Sequence, residues 1–287
     1  MKNCLMVVAL LLAQFAQVRA NDDGHTEDYV QGRIDIPVIR NDGYVARYLD
    51  RHNSRLSRIR KHATHHFDVV FVGDSITHNW ERDREKRAVY GRSVWEEEFA
   101  GMEVFNVGFG GDRVETLHWR LANGELDGYK ADWFCLLIGT NNRQNSSKEI
   151  ASGVKALVET IKAKHPESKI VLMTILPRCD IRQPNVTDEI IARVRGANPM
   201  LREIAKNDPQ VELLDLDPYF LNADGSVKEE LFNDGLHPNP AGYRIWAREL
   251  KKLISPETLP PHPPHELMEV RVRSSLDGAN QRWRQGE

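Results

Sequence analysis

The chain has 287 residues, 40% of them apolar and 28% charged, with a formal net charge of −3. This is the make-up of a globular protein with a core of ordinary size, in one generous domain or two small ones. So slight an acidic balance offers no footing for a nucleic-acid partner or for attraction to an anionic membrane surface.

The first twenty residues stand apart from any core. Lys2 supplies a positive n-region, Leu5 to Leu12 an apolar h-region and Val18-Arg19-Ala20 a small-residue cleavage site. That is the pattern of a secretory signal peptide, cleaved after Ala20, and its apolar run is short for a bilayer span. Secretion, or export to a periplasm, is therefore expected, without stable membrane insertion. Residues 21–47 form a polar, acidic extension, and Tyr48 to Ile59 has the pattern of a lead-in helix.

Five apolar stretches have strand length: Asp68 to Val72, Glu103 to Val107, Trp133 to Ile138, Lys169 to Leu176 and Val211 to Leu214. Most are continuous rather than alternating, as strands covered on both faces are. Helical spacing lies between them. It runs through Val114, Leu117 and Leu121, through Ile150, Val154, Leu157, Val158 and Ile161, and through Leu201 and Ile204, with Asn198-Pro199 as a candidate start. A final set holds Ala241, Ile245, Trp246, Leu250 and Leu253, capped by Asn239 with Pro240 next. Strands alternating with helices predict one α/β domain over residues 48–254, its parallel sheet covered on both faces. Residues 255–287 read as a proline-rich linker and a charged tail.

After the leader only Cys135 and Cys179 remain. At ~3.3 Å per residue the strand assignments separate them by about 25–30 Å along the sheet. A disulfide needs Cα atoms within about 7 Å, so two free thiols are expected.

Ligands of an open parallel sheet bind beyond the carboxyl ends of its strands. The first strand is followed by Gly73-Asp74-Ser75, the second by Gly110-Gly111 within "NVGFGGDR", the third by "GTNNR" with Asn141, and the fourth by "PRCD". "NDGLHPN", with Asp234 and His237, precedes the last helix. Each alone reads equally well as a turn, a cap or a surface histidine. Together they hold every part an acyl-transfer site needs. A serine hydroxyl requires a base, here His237, and the base requires a carboxylate to fix its tautomer, here Asp234 three residues earlier. The oxyanion requires preorganised donors, for which the N–H groups of Ser75 and Gly111 and the side-chain amide of Asn141 are candidates.

In that order and on those loops, Gly73-Asp74-Ser75, Gly111, Asn141 and Asp234-x-x-His237 resemble the SGNH (GDSL-type) esterase and acylhydrolase family. The similarity extends to "NVGFGGDRVETLHWRLANGEL", "LLIGTNNRQN", "TILPR" and "LLDLDPYF", which look very like the platelet-activating-factor acetylhydrolase type Ib catalytic-subunit branch. It spans roughly Tyr48 to Ile254. The resemblance implies a flavodoxin-like three-layer α/β/α sandwich with a five-stranded parallel sheet in the order 2-1-3-4-5. It implies Ser75 as nucleophile, His237 as base, Asp234 as its orienter, and Ser75, Gly111 and Asn141 as the oxyanion hole, with no metal or organic cofactor. Ile76 departs from the leucine of the name motif, a near-isosteric change. The leader departs from the cytosolic members of that branch, so their lipid substrate does not carry over with the fold. A nucleophile elbow of the α/β-hydrolase kind is excluded, because Thr77 stands where G-x-S-x-G wants its second glycine.

Other features stay open between a site role and a structural one. His78, Trp80 and Arg113 fall in or beside the motif loops, and Arg143 and Arg178 follow strands where an anionic substrate group could meet them. His62, His65 and His66 read as a solvated helix end rather than a metal site, and Glu96-Glu97-Glu98 as a solvated surface. Asn145-Ser146-Ser147 and Asn185-Val186-Thr187 are glycosylation sequons. The expected activity is release of short acyl groups, acetyl foremost, from small-molecule or glycan oxygen esters. A lipid or phospholipid acylhydrolase, a non-catalytic binding module on the same fold and an acyltransferase are the alternatives.

Overall fold

The computed structural model describes residues 34–35, 37–39, 45–82, 90–179 and 186–254. The leader, most of the acidic extension, the proline-rich tail and the sequon asparagine Asn185 lie outside the described residues.

Five parallel strands form one sheet in the order β2-β1-β3-β4-β5. They are β1 (His66–Gly73), β2 (Val104–Asn106), β3 (Lys130–Leu137), β4 (Lys169–Met173) and β5 (Val211–Leu214). This is the expected order. β1 and β3 start earlier than their apolar runs, because His66 and Phe67 pair with Lys130 and Ala131 at the amino end of the ladder. β4 stops at Met173 although apolar residues continue. Beyond it the side chain of Asn198 replaces a strand: its Oδ1 accepts from Ile175 N–H at 2.8 Å and its Nδ2 donates to Ile175 C=O at 3.0 Å. Asn198 is thus not the helix cap that the Asn-Pro pair suggests.

One face of the sheet carries helices α1 (Val45–Lys61), α4 (Val114–Arg120), α5 (Ser147–Lys164) and α7 (Asn198–Lys206). Val70, Val72, Phe134 and Leu136 from the strands meet Leu117, Val154, Leu157 and Ile161 there in a single cluster. Each such side chain contributes about 1.5–3 kcal/mol on full burial. The opposite face carries α3 (Arg92–Glu98) and α9 (Pro240–Leu253) around an aromatic cluster. Phe71, Trp80, Trp95, Phe99 and Trp246 lie with neighbouring ring centroids about 5–6 Å apart.

The start of α9 is set as expected, with Asn239 Oδ1 accepting from Ala241 and Gly242 N–H and Pro240 opening the helix. Helix α6 (Asp188–Arg195) is capped by Thr187 and carries a short stripe of Ile190, Ile191 and Val194, of which Val194 is buried and Ile190 packs against the core. Two short helices complete the set among the described residues, α2 (Ser75–His78) and α8 (Asp217–Phe220). Cys135 and Cys179 form no disulfide, and the former is buried against Met173.

Candidate active site

β1 delivers Ser75 into the first turn of α2, just past the carboxyl edge of the sheet. The turn is tight: a Cβ on Gly73 would lie 2.2 Å from Leu137 C=O and 2.3 Å from Thr77 Oγ1, so only glycine fits. Asp74 caps the helix, its Oδ1 accepting from Ile76 N–H at 2.9 Å. From the far end of the chain the Tyr243 hydroxyl donates to Ile76 C=O at 2.6 Å, pinning the turn to α9.

The turn before α9 brings the other two residues. Asp234 Oδ1 accepts from Leu236 and His237 N–H at 3.1 and 2.8 Å, which curls its carboxylate back over the turn. Its Oδ2 then sits 2.8 Å from His237 Nδ1, and His237 Nε2 sits 2.9 Å from Ser75 Oγ across 162 residues of sequence. Cys179 N–H donates to Gly235 C=O at 2.8 Å, so the loop after β4 braces this turn. A carboxylate, an imidazole and a hydroxyl in one hydrogen-bonded line can move a proton off the hydroxyl.

The glycine loop after β2 lies against the same turn. A Cβ on Gly110 would be 3.9 Å from Ser75 Cβ and 3.6 Å from His78 Nδ1. Gly111 has φ of +83°, the left-handed region, which turns the chain that follows it and which glycine adopts without strain. Asn141 Nδ2 donates to Asp112 C=O at 2.8 Å, tying the loop after β3 to the glycine loop and leaving the second amide hydrogen for another acceptor. Arg178 holds the turn before it, donating to Thr140 C=O and Oγ1 at 3.1 and 3.2 Å.

Charge is distributed unevenly around Ser75. Burial pulls the Asp234 carboxyl upward, but the hydrogen bonds from His237 prevail and bring it to about 2. Asp74 is fully buried and its Oδ2 has no hydrogen-bond partner among the described residues. Burial pushes its carboxyl up to about 7. His78 is driven down to about 3 by burial and then by Arg55, Arg51 and Arg82, which keeps it a neutral imidazole.

The remaining candidates separate. Trp80 is fully buried in the aromatic cluster. Arg113 pairs with Glu115 at 3.0 Å, and the Arg143 carbonyl accepts from Arg193. His65 and His66 face Glu103 and Asp132 at the amino end of the sheet, away from Ser75. Glu96 and Glu97 are exposed, as expected of a solvated run, while Glu98 is mostly covered and pairs with Lys251 of α9. Asn145 of the first sequon is buried and accepts from Asn142, which leaves its amide inaccessible to a glycosyltransferase. Asn142 also accepts from Val114 N–H at 3.0 Å, opening α4 rather than its own segment.

A flavodoxin-like sheet with a serine, histidine and aspartate in line at its carboxyl edge defines a class, and comparison supplies the family. The GDSL-like Lipase/Acylhydrolase family matches residues 71–245, and the chain belongs to it. Platelet-activating factor acetylhydrolase IB subunit alpha2 of Rattus norvegicus is 33% identical over 187 residues, covering 65% of this chain and 76% of that protein. A GDSL-like lipase from Bacteroides thetaiotaomicron superposes with a TM-score of 0.56 at 16% identity, over 71% of this chain and 96% of its own. A mutant of an acetyl-xylooligosaccharide esterase from Geobacillus Stearmophilus superposes with a TM-score of 0.50 at 21% identity, over 70% and 99%.

Proposed function

We propose that this chain is an exported serine esterase that removes short acyl groups, acetyl foremost, from oxygen esters of carbohydrates. The observation that carries the chemistry is the line from Ser75 Oγ through His237 to Asp234, at 2.9 and 2.8 Å. Ser75 Oγ attacks the ester carbonyl carbon as its proton passes to His237 Nε2, and Asp234 stabilises the imidazolium. The carbonyl oxygen becomes an oxyanion held by the N–H groups of Ser75 and Gly111 and the free amide hydrogen of Asn141. Collapse breaks the bond to the alkoxy oxygen, which leaves with the proton from His237. Water then attacks acyl-Ser75, giving one proton to His237 Nε2, and the carboxylic acid departs as Ser75 takes that proton back.

Export rests on the leader pattern of residues 1–20, and the carbohydrate substrate on export together with the acetyl-xylooligosaccharide esterase among the fold's neighbours. One observation favours a second reading: the acetylhydrolase IB subunits, 33% identical for alpha2, are named for an acetylated lipid. Both readings share the acetyl group and differ in the alcohol.

The test is turnover of p-nitrophenyl acetate, butyrate and octanoate, of acetylated xylooligosaccharides and of an acetylated phospholipid, by residues 21–287 with Ser75→Ala alongside. Ser75-dependent turnover that falls steeply beyond acetate, with acetate released from the sugar, is the expected result. A folded protein that cleaves none of these esters, or a Ser75→Ala variant as active as the parent, overturns the esterase reading. Preference for octanoate overturns the acetyl specificity that both readings share, and acetate released from an acetylated phospholipid but not from the sugar moves the alcohol to lipid.

A further inference from the structure

The glycine loop raises a question of mechanics. Two consecutive glycines carry no side chains to pack, and Gly111 is exposed. An oxyanion donor must nevertheless be held within a fraction of an ångström. Its position is set by whatever holds the next residue, Asp112, whose own carbonyl orients Asn141.

Asp112 is fully buried, and so are its partners Arg120 and Glu125. Arg120 Nε donates to Asp112 Oδ2 at 2.7 Å, while its Nη1 donates to Val107 C=O at 3.1 Å and to Glu125 Oε2. Tyr48 and Thr116 hydroxyls lie 3.3 and 3.2 Å from Asp112 Oδ1. His52 Nδ1 closes the far side, 2.8 Å from Glu125 Oε1. Tyr48 and His52 come from α1, ahead of the residues that the family matches. Burial opposes the charge on Arg120, but the two carboxylates outweigh it and hold the guanidinium firmly protonated.

A buried cation between two carboxylates is poor value as plain stability, because desolvation cancels most of the attraction. What it does provide is direction. The guanidinium is planar and its donors are fixed, so it locates a carboxylate to within a hydrogen bond's tolerance. Here the located carboxylate belongs to Asp112, the residue that follows Gly111 and whose own carbonyl accepts from Asn141. We infer that Arg120, braced by Glu125 and acting through Asp112, is the positioning residue of the oxyanion hole, with α1 as its outer support. This rests on the esterase reading above. The cluster touches no substrate, and its effect belongs to the transition state alone.

The test is a double-mutant cycle of Asp112→Asn and Asn141→Ala in the mature chain, read as kcat and KM on p-nitrophenyl acetate and as the rate of Ser75 labelling by a fluorophosphonate. Asp112→Asn keeps the backbone carbonyl and the side-chain shape but gives up the charge that grips Arg120. The expected result is a loss of about 10–100-fold in kcat and in labelling with KM little changed. In the Asn141→Ala background the same substitution costs at least about 3-fold less than in the parent, because one of the two donors it positions is gone while the Gly111 N–H remains. Full additivity, an effect confined to KM, or wild-type labelling overturns the inference. Should Asp112→Asn fail to fold, Tyr48→Phe and Thr116→Val each remove one hydroxyl from Asp112 with the charges still paired, and the same cycle with Asn141→Ala applies. Absence of Ser75-dependent turnover in the parent protein defeats the esterase reading itself, whereas an active parent with an additive cycle defeats only this inference.

Discussion

Asp74 offers a sharp test of the site's electrostatics, through stability rather than activity. Its carboxyl is fully buried, one oxygen caps Ile76 N–H and the other has no partner among the described residues. Burial lifts it to about 7 from its ordinary 3.8. The folded state therefore keeps a proton that the unfolded chain releases, and stability falls as pH rises between those two values and levels off above. From pH 5 to pH 8 the loss amounts to about 2–3 kcal/mol. His78 acts in the same window with opposite sense. Its folded value of about 3 lies below the ordinary 6.5, so its contribution is present above 6.5 and lost as pH falls. His62, His118 and His165 are shifted the same way, each chiefly by burial. The parent's own pH profile is thus a sum of opposing slopes, and the readable quantity is the difference from Asp74→Asn. In that variant Oδ1 still accepts from Ile76, while a partnerless amide replaces the partnerless oxygen at a pH-independent cost of about 1–3 kcal/mol. Urea unfolding at several pH values between 5 and 8 measures the difference. It should widen by about 2–3 kcal/mol in the parent's favour on going from pH 8 to pH 5. A difference that stays constant across the window would show Asp74 ionised throughout, and the burial argument would be wrong.

Gly108→Ala places a Cβ 2.5 Å from His78 N and 2.7 Å from Thr77 C, both backbone atoms that cannot rotate aside. Overpacking of this kind costs about 1–3 kcal/mol, and because it pushes the glycine loop off the nucleophile turn, kcat on p-nitrophenyl acetate should fall further than the melting temperature alone accounts for. Asp234→Asn keeps an acceptor for the N–H groups of Leu236 and His237 but turns an amide toward His237 Nδ1, favouring the wrong tautomer. A fall in kcat on the order of 10⁴, smaller than that of His237→Ala, is expected in the same assay; equal losses would mean that Asp234 does more than orient the base.

The strands were legible because continuous apolar runs such as Phe71-Val72 and Leu136-Leu137 have few other ways to be buried; their order came from the family resemblance, since an apolar run does not name its neighbours. The candidate site was legible for a related reason. Ser75, Gly111, Asn141 and His237 each sit at a chain reversal written in small or polar residues at the end of an apolar run. What stayed hidden depends on partners that no local pattern names. Asp112, Arg120 and Glu125 are charged residues that no local pattern marks as buried, yet they pair with one another and are fully buried. Trp80 sits beside the motif and looks like a pocket wall until its neighbours Phe71, Tyr243 and Trp246 are seen to enclose it. Asn198 looks like a cap until Ile175 claims both ends of its amide.

The same reasoning bears on how Ser75 and His237 meet at all. The two belong to separate layers, one following β1 and the other preceding α9. Hydrophobic packing of Trp246 against Phe71 and Trp80 sets the helix on the sheet but tolerates small slides. A hydrogen bond from His237 to Ser75 does not tolerate them. The Tyr243 hydroxyl on Ile76 C=O, one turn into α9 and one residue beyond Ser75, converts that loose contact into a fixed register. Burial drives α9 onto the sheet, and among its directional contacts the Tyr243 bond is the one made to the nucleophile turn itself.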